Sequence, residues 1–293
     1  MTWILIFIGV FLVAAAITVR LLPGAIYYLV LNGTAHGSPK AQLPPSERYE
    51  LLSLRTADGV RISAQFGTAE SPDGAILPNY SRRPTAIYCY PGGGYLKWSH
   101  TQFEGLRRLG WNVIMPEYPG FGLSEGRPSE VGCYAAAEAA YLYATSRHDL
   151  DPTRIVGVGW SLGAASMTDV ATRHDLAGLV LIGAVTNLPD GVRNIAKAHR
   201  PFSWIPDKWL AGSAEIPKLD NLTKLPRSSC PVLIICGASD AIISPVMTHS
   251  LASAAPGRSV EKLIEGAGHF DLFRNSEREV WDAISGWARA AGL

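Results

Sequence analysis

Eight short apolar, β-rich segments run along the chain, and the last six alternate with stretches of helical spacing. The first two, near residues 50–56 and 60–67, are joined by Asp58-Gly59, a dipeptide typical of hairpins. The other six lie at 85–90, 112–117, 154–159, 178–184, 232–237 and 259–264. Because parallel strands need long crossover connections, this alternation predicts an α/β fold: a mostly parallel eight-stranded sheet, helices on both faces and an antiparallel hairpin at one edge.

The predicted helices fall at about 97–110, 130–147, 162–174, 245–255 and 276–290. Residues 186–230 interrupt the alternation, because they contain no clear strand and are rich in proline and tryptophan. We interpret this interval as a small cap inserted between two strands, above the carboxyl ends of the sheet.

The composition excludes several classes of protein. Charged residues make up 17% of the 293 residues and the net charge is +1, with no basic block, so nucleic acid is not an expected partner. Hydrophobic residues make up 47%, which excludes wholesale disorder. The four cysteines lack metal-like or redox spacing and are interpreted as buried hydrophobes. No metal-ligand cluster or phosphate-binding loop stands out, so we expect catalysis without a metal or cofactor.

The N-terminus has the composition of a membrane segment. Residues 1–31 contain one charged side chain, Arg20, and residues 3–19 contain none. We predict a membrane helix over residues 2–22, within an anchor of residues 1–31 that is followed by a polar linker, 32–48. A cleaved secretory signal ending near Ala14-Ala15-Ala16, or a buried core helix, are the alternatives.

Orientation follows from the few charges around this segment. Positive charge lies only on its C-terminal side, at Arg20, Lys40 and Arg48. The positive-inside tendency therefore favours a single-pass protein whose body, residues 49–293, faces the cytoplasm. Cysteines that look unpaired agree with a reducing compartment.

The strongest chemical signal is Gly159-Trp160-Ser161-Leu162-Gly163, which follows one predicted strand and opens a predicted helix. G-x-S-x-G in this setting is the nucleophile elbow, a sharp turn that raises the serine oxygen above the sheet. The two glycines leave room where side chains would clash. Ser161 is therefore the candidate nucleophile.

A serine hydroxyl needs a base to take its proton, and the base needs a carboxylate to orient it. Among seven histidines, His269 lies in a small-residue loop after the last strand, where it can reach the elbow. Asp240 follows the strand near 232–237 and is the preferred acid. Asp271, two residues from the histidine, is its rival, and Asp190 is a more distant alternative.

The tetrahedral oxyanion of acyl transfer needs two hydrogen-bond donors. The backbone N–H of Leu162, which follows the nucleophile, is one candidate. The second is expected from the loop Pro91-Gly92-Gly93-Gly94-Tyr95, where we favour Gly93 over Gly92. A plain flexible turn is the alternative interpretation of that loop.

These motifs together resemble the α/β-hydrolase superfamily, and within it the membrane-anchored bud-emergence-type and ABHD-type serine hydrolases. Residues 117–126, EYPGFGLSEG, are similar to the D-Y-R-G-Y-G-x-S-x-G segment of those proteins, with Glu117 and Pro119 in place of Asp and Arg. Pro91 stands where the family often has histidine. The resemblance implies an α/β-hydrolase fold, triad roles for Ser161, Asp240 and His269, and hydrolysis of acyl esters or thioesters.

A membrane-tethered serine hydrolase acting on small-molecule or lipid-like acyl substrates is the leading hypothesis. A peptidase or amidase on the same triad, or a catalytically silent membrane-bound module, are the alternatives. The residues predicted to line an apolar substrate pocket are Tyr95, Phe121, Trp160, Phe202, Trp204 and Ile242.

Overall fold

The computed structural model describes residues 48–198 and 219–293. Eight strands form one sheet in the order β1-β2-β4-β3-β5-β6-β7-β8. The strands are β1 (Glu50–Arg55), β2 (Arg61–Gly67), β3 (Thr85–Cys89), β4 (Asn112–Pro116), β5 (Ile155–Trp160), β6 (Gly178–Ile182), β7 (Val232–Gly237) and β8 (Ser259–Ile264).

The pairing of the strands matches the prediction of a mostly parallel sheet with a hairpin at one edge. β1 pairs antiparallel with β2, and β2 antiparallel with β4. The remaining neighbours, from β4 through β3 to β8, are all parallel. Central strands such as β5 and β7 are buried along their whole length, as expected when helices cover both faces of a sheet.

Six α-helices are described: α1 (His100–Arg108), α2 (Glu130–Ser146), α3 (Leu162–Ala171), α4 (Leu188–Ala198), α5 (Pro245–Ala254) and α6 (Glu277–Ala290). α2 packs against α3, and α1 lies so close to α6 that a Cβ on Gly105 would meet the Trp281 ring at 2.2 Å. In α6 the apolar stripe of Val280, Ile284 and Trp287 is buried, as its spacing predicts.

The predicted strand and helix positions are confirmed, with ends that differ by a few residues. The interval interpreted as a cap contains α4 and, in its described part, no strand. Its central portion, residues 199–218, lies outside the described residues. All four cysteines are free and buried.

The predicted membrane anchor, residues 1–31, and most of the linker also lie outside the described residues. Within residues 48–198 and 219–293, none of the helices has both the length and the apolar character needed to span a bilayer.

Candidate active site

Ser161 occupies a strained turn between β5 and α3. Its backbone has φ +53° and ψ −112°, a conformation that non-glycine residues rarely adopt. A Cβ on Gly159 would lie 2.4 Å from the Gly163 carbonyl oxygen, and one on Gly163 would lie 1.9 Å from the carbonyl oxygen of Cys89. Only glycine at both positions lets the helix start this close to β3, so the two glycines of the motif make the turn sterically possible.

His269 lies in the loop between β8 and α6, at the same carboxyl edge of the sheet. Its Nδ1 is 2.8 Å from Oδ2 of Asp240, and both residues are buried, at 6% and 5% exposure. Because a carboxylate only accepts hydrogen bonds, Nδ1 carries the proton of the neutral ring and Nε2 is left with its lone pair. This is the tautomer that a general base needs.

The second oxygen of Asp240 is held by the backbone. Oδ1 accepts the N–H groups of Ile242 at 2.8 Å and Ile243 at 2.7 Å, in the turn that leads to α5. Asp271 makes no hydrogen bond to His269: its Oδ2 accepts the Gly268 N–H at 3.1 Å and so closes its own loop. The structure thus brings the predicted base together with Asp240 and not with its rival.

Asp190, the third candidate acid, is engaged elsewhere. It lies in the first turn of α4, where it accepts hydrogen bonds from Thr186 and Asn187 and pairs with Arg193 at 2.5 Å.

The glycine loop after β3 forms a tight turn. The N–H of Gly94 donates to the Pro91 carbonyl at 2.9 Å, and Gly93 has φ +92°. Within the described residues the N–H groups of Gly92 and Gly93 make no hydrogen bond. Leu162 is the first residue of α3, so its N–H has no acceptor inside the helix. The donors predicted for the oxyanion are therefore available to a ligand.

Five of the six predicted pocket residues divide into three groups. Tyr95 and Ile242 are half-buried beside the candidate site. Phe121 has no exposed surface and packs against Tyr90 and Tyr118, so we place it in the core, where the aromatic packing of the β4 loop holds it. The third group, Phe202 and Trp204, lies outside the described residues.

Trp160 is 3% exposed, yet its side chain forms one wall of a groove of about 300 Å³. Two half-exposed aromatic residues that the sequence analysis did not select, Trp98 and Phe270, form other walls. Their positions in the sequence could have identified them, since Trp98 lies shortly after the glycine loop and Phe270 follows His269 directly.

A second buried carboxylate, Glu117, lies just after β4. It is 3% exposed, and among the described residues no Lys or Arg forms an ion pair with it. Burial raises its pKa from 4.5 to about 7, and the backbone N–H groups of Leu123 and Leu96 oppose that rise by bonding the ionised form.

No group of three His, Cys, Asp or Glu side chains in the described parts of the chain is arranged to hold a metal ion. The strained serine and the buried His–Asp pair lie at the carboxyl edge of the sheet, and the N–H groups of Leu162, Gly92 and Gly93 are free within the described residues.

Comparison with known proteins identifies the family. Residues 89–283, which include both the elbow and the histidine loop, match the alpha/beta hydrolase family. The chain belongs to the alpha/beta hydrolase family.

Two relatives are similar to this hydrolase in sequence over about three quarters of their own length. It is 30% identical over 246 residues to the human alpha/beta hydrolase domain-containing protein 17B, covering 82% of this chain and 77% of that protein. It is 29% identical over 231 residues to the uncharacterized protein Rv2307c of Mycobacterium tuberculosis, covering 79% of this chain and 76% of that protein.

Among solved structures, the hydrolase resembles the Pyrococcus furiosus esterase PF2001. The TM-score is 0.66 at 15% sequence identity, with 86% of this chain and 96% of the esterase covered. At that identity the similarity establishes a shared fold.

Proposed function

We propose that this hydrolase is a serine hydrolase that cleaves acyl esters or thioesters through a covalent intermediate on Ser161. The observation that carries the proposal is the buried His269–Asp240 pair, with Nδ1 and Oδ2 2.8 Å apart, at the sheet edge where Ser161 occupies its strained turn. A serine with only a structural role would not require that turn, because its strained backbone conformation costs free energy.

In the proposed mechanism, Nε2 of His269 takes the proton of the Ser161 hydroxyl as the oxygen attacks the acyl carbon. Asp240 stabilises the imidazolium that results, and the backbone N–H groups of Leu162 and Gly93 bind the oxyanion. The tetrahedral intermediate collapses and the imidazolium gives its proton to the leaving alkoxide or thiolate. A water molecule, deprotonated by His269, then attacks the acyl carbon of the intermediate. The bond to the Ser161 oxygen breaks, the imidazolium returns its proton to that oxygen, and the acid is released.

The surroundings of the site favour an apolar acyl group. Trp98, Trp160 and Phe270 present aromatic surface in a groove whose lining includes the sequence neighbours of Ser161 and His269, and Trp98 and Phe270 are about half exposed. Exposed aromatic residues beside a catalytic centre are typical of sites that bind apolar ligands. We therefore expect medium-length acyl esters to react faster than acetate.

The test is a substrate panel with the wild type and two serine variants. We expect Ser161→Ala to fold, since alanine fits the turn, and to lose 10³-fold or more in kcat on p-nitrophenyl esters. Ser146→Ala, at an exposed position at the end of α2, is the matched control and should keep wild-type rates. A fluorophosphonate probe should label Ser161 alone.

Three results would change the proposal. A Ser161→Ala variant that retains more than a tenth of the activity overturns the nucleophile. Preference for aminoacyl amides over esters and thioesters would assign a peptidase or amidase. A folded wild type that neither turns over nor labels would be a silent module.

We also propose that residues 1–31 tether the hydrolase to a membrane, with the catalytic body in the cytoplasm. The support is the uncharged stretch of residues 3–19, which is about the minimum length for a span. The tethered protein should resist carbonate extraction, and a chain lacking residues 1–31 should be active in the soluble fraction. Extraction by carbonate, or a mature N-terminus near residue 17, would overturn the tether.

A further inference from the structure

The glycine loop that we propose to bind the oxyanion is held at both ends by two consecutive residues, Glu117 and Tyr118. The loop comprises residues 91–95, between Tyr90, which directly follows β3, and Leu96. Tyr118 bonds the first flank twice: its O–H donates to the Tyr90 carbonyl at 2.6 Å, and its N–H donates to the Tyr90 hydroxyl at 3.2 Å.

Glu117 bonds the other flank. Its Oε1 accepts the N–H of Leu96 at 3.4 Å, and its Oε2 accepts the N–H of Leu123 at 3.0 Å. The carboxylate lies so close to Gly122, which has φ +47°, that a Cβ there would be 2.3 Å from both oxygens. The carboxylate therefore links the glycine loop to the loop that follows β4.

We infer that Glu117 and Tyr118 are positioning residues of the oxyanion loop, holding Leu96 and Tyr90 so that Gly92 and Gly93 keep one backbone conformation. The inference rests on the proposed function. Its physical basis is that an oxyanion donor contributes to rate only when it is fixed before the charge develops. Within the described residues the Gly92 and Gly93 N–H groups have no bond that would fix them internally.

The ionised form of Glu117 is the one that holds the two backbone N–H groups, because both oxygens of a carboxylate accept hydrogen bonds. In a carboxylic acid one oxygen carries a proton and becomes a donor. Burial brings its pKa to about 7, so the form changes in the neutral range. The ionisable group that faces it is the Tyr90 phenol, whose pKa is raised well above its usual value by burial first and by Glu117 second, so it stays neutral.

Charged groups nearby face the solvent. Lys97, next to Leu96, is exposed. In the loop after β4, Glu125 pairs with Arg61 at 2.9 Å, with side-chain exposures of 55% and 43%. Glu125→Gln is therefore a matched control for Glu117→Gln: it makes the same chemical change in the same loop and leaves Leu96 untouched.

The test measures kcat and KM of the full-length protein on p-nitrophenyl butyrate from pH 5.5 to 9. For Glu117→Gln we expect kcat to fall about 10-fold with KM within 2-fold, since oxyanion contacts form in the transition state. In the wild type, protonation of Glu117 as the pH falls through about 7 should lower kcat by up to about 10-fold, and Glu117→Gln should lack that fall.

Glu117→Asp keeps two acceptor oxygens and should recover kcat to within about 3-fold of wild type, with the fall in kcat on the acid side retained. Tyr118→Phe removes one O–H at the other flank and keeps the ring, so we expect a smaller fall in kcat, about 5-fold, at unchanged KM. Glu125→Gln should match the wild type throughout.

Two outcomes overturn the inference alone: an active wild type with a folded Glu117→Gln variant of unchanged kcat and unchanged pH dependence, or, where that variant fails to fold, a Tyr118→Phe variant of unchanged kcat. A folded wild type that neither hydrolyses the ester nor labels at Ser161 overturns the proposed function, and the inference with it.

Discussion

Two buried carboxylates lie at the carboxyl ends of the strands, Asp240 after β7 and Glu117 after β4. Each is at most 5% exposed, and each accepts two backbone N–H groups. They differ in the third partner. Asp240 also bonds the imidazole of His269, whereas Glu117 has no ion-pair partner within the described residues.

The presence or absence of the imidazole gives the two carboxylates different roles, although the backbone supports both in the same way. A neighbour that becomes positive during turnover makes the charge of Asp240 useful for catalysis. Without such a neighbour, the charge of Glu117 is costly, and burial brings its pKa to about 7. We infer that one carboxylate stabilises a developing cation and the other holds backbone in place, at a cost to stability.

The largest expected effect concerns Asp240, the proposed catalytic acid of the triad. Asp240→Asn should lower kcat about 10⁴-fold, because the amide favours the wrong tautomer of His269. Asp271→Asn, in the same region and without a hydrogen bond to the imidazole, is the control and should stay within 10-fold of wild type. If the two effects are reversed in steady-state kinetics, Asp271 is the catalytic acid.

The next effect concerns stability. Because the pKa of Glu117 is raised from 4.5 to about 7 by folding, its neutral form stabilises the protein below pH 4.5, and that contribution is lost as the pH rises through 7. The loss amounts to about 3 kcal/mol. Glu117→Gln should lack it, so urea unfolding at pH 5 and pH 8 should show a smaller difference than in the wild type. Identical differences would mean that Glu117 is not a buried acid.

A smaller effect tests the packing of the Glu117 carboxylate. Gly122→Ala should destabilise the fold by about 2 kcal/mol, since the methyl group would meet both carboxylate oxygens at 2.3 Å in a backbone region that strains alanine. Gly59→Ala, with φ +85° and nothing within 4 Å of the new methyl group, isolates the backbone strain and should cost about 1 kcal/mol. Equal changes in thermal unfolding would contradict the close approach at Gly122.

The smallest effect is expected at Glu125, a few residues beyond Glu117. Its ion pair with Arg61 is exposed, so Glu125→Gln should change the free energy of unfolding by less than about 0.5 kcal/mol. Salt should remove even that change, whereas the pH dependence from the buried Glu117 should persist in high salt. A salt-sensitive Glu117 effect would place that carboxylate in contact with solvent.

Local patterns in the sequence were sufficient for the fold and for part of the site. Most strands are short apolar runs, and they alternate with segments long enough for helices, so the elements and their mostly parallel sheet could be predicted from segments taken one at a time. The elbow is equally local, because Gly159 and Gly163 act within two residues of Ser161. His269 could be selected from its loop after the last strand.

Contacts between distant segments were decided only by the tertiary structure. Asp240 and His269 are 29 residues apart, and whether Asp240 or Asp271 faces the imidazole depends on side-chain directions in two loops. The bonds from Glu117 and Tyr118 to the flanks of the glycine loop span 21 and 28 residues, and Phe121 packs against Tyr90, which is 31 residues away. No periodicity encodes such pairs, because they depend on where β3 and β4 end next to each other in the sheet.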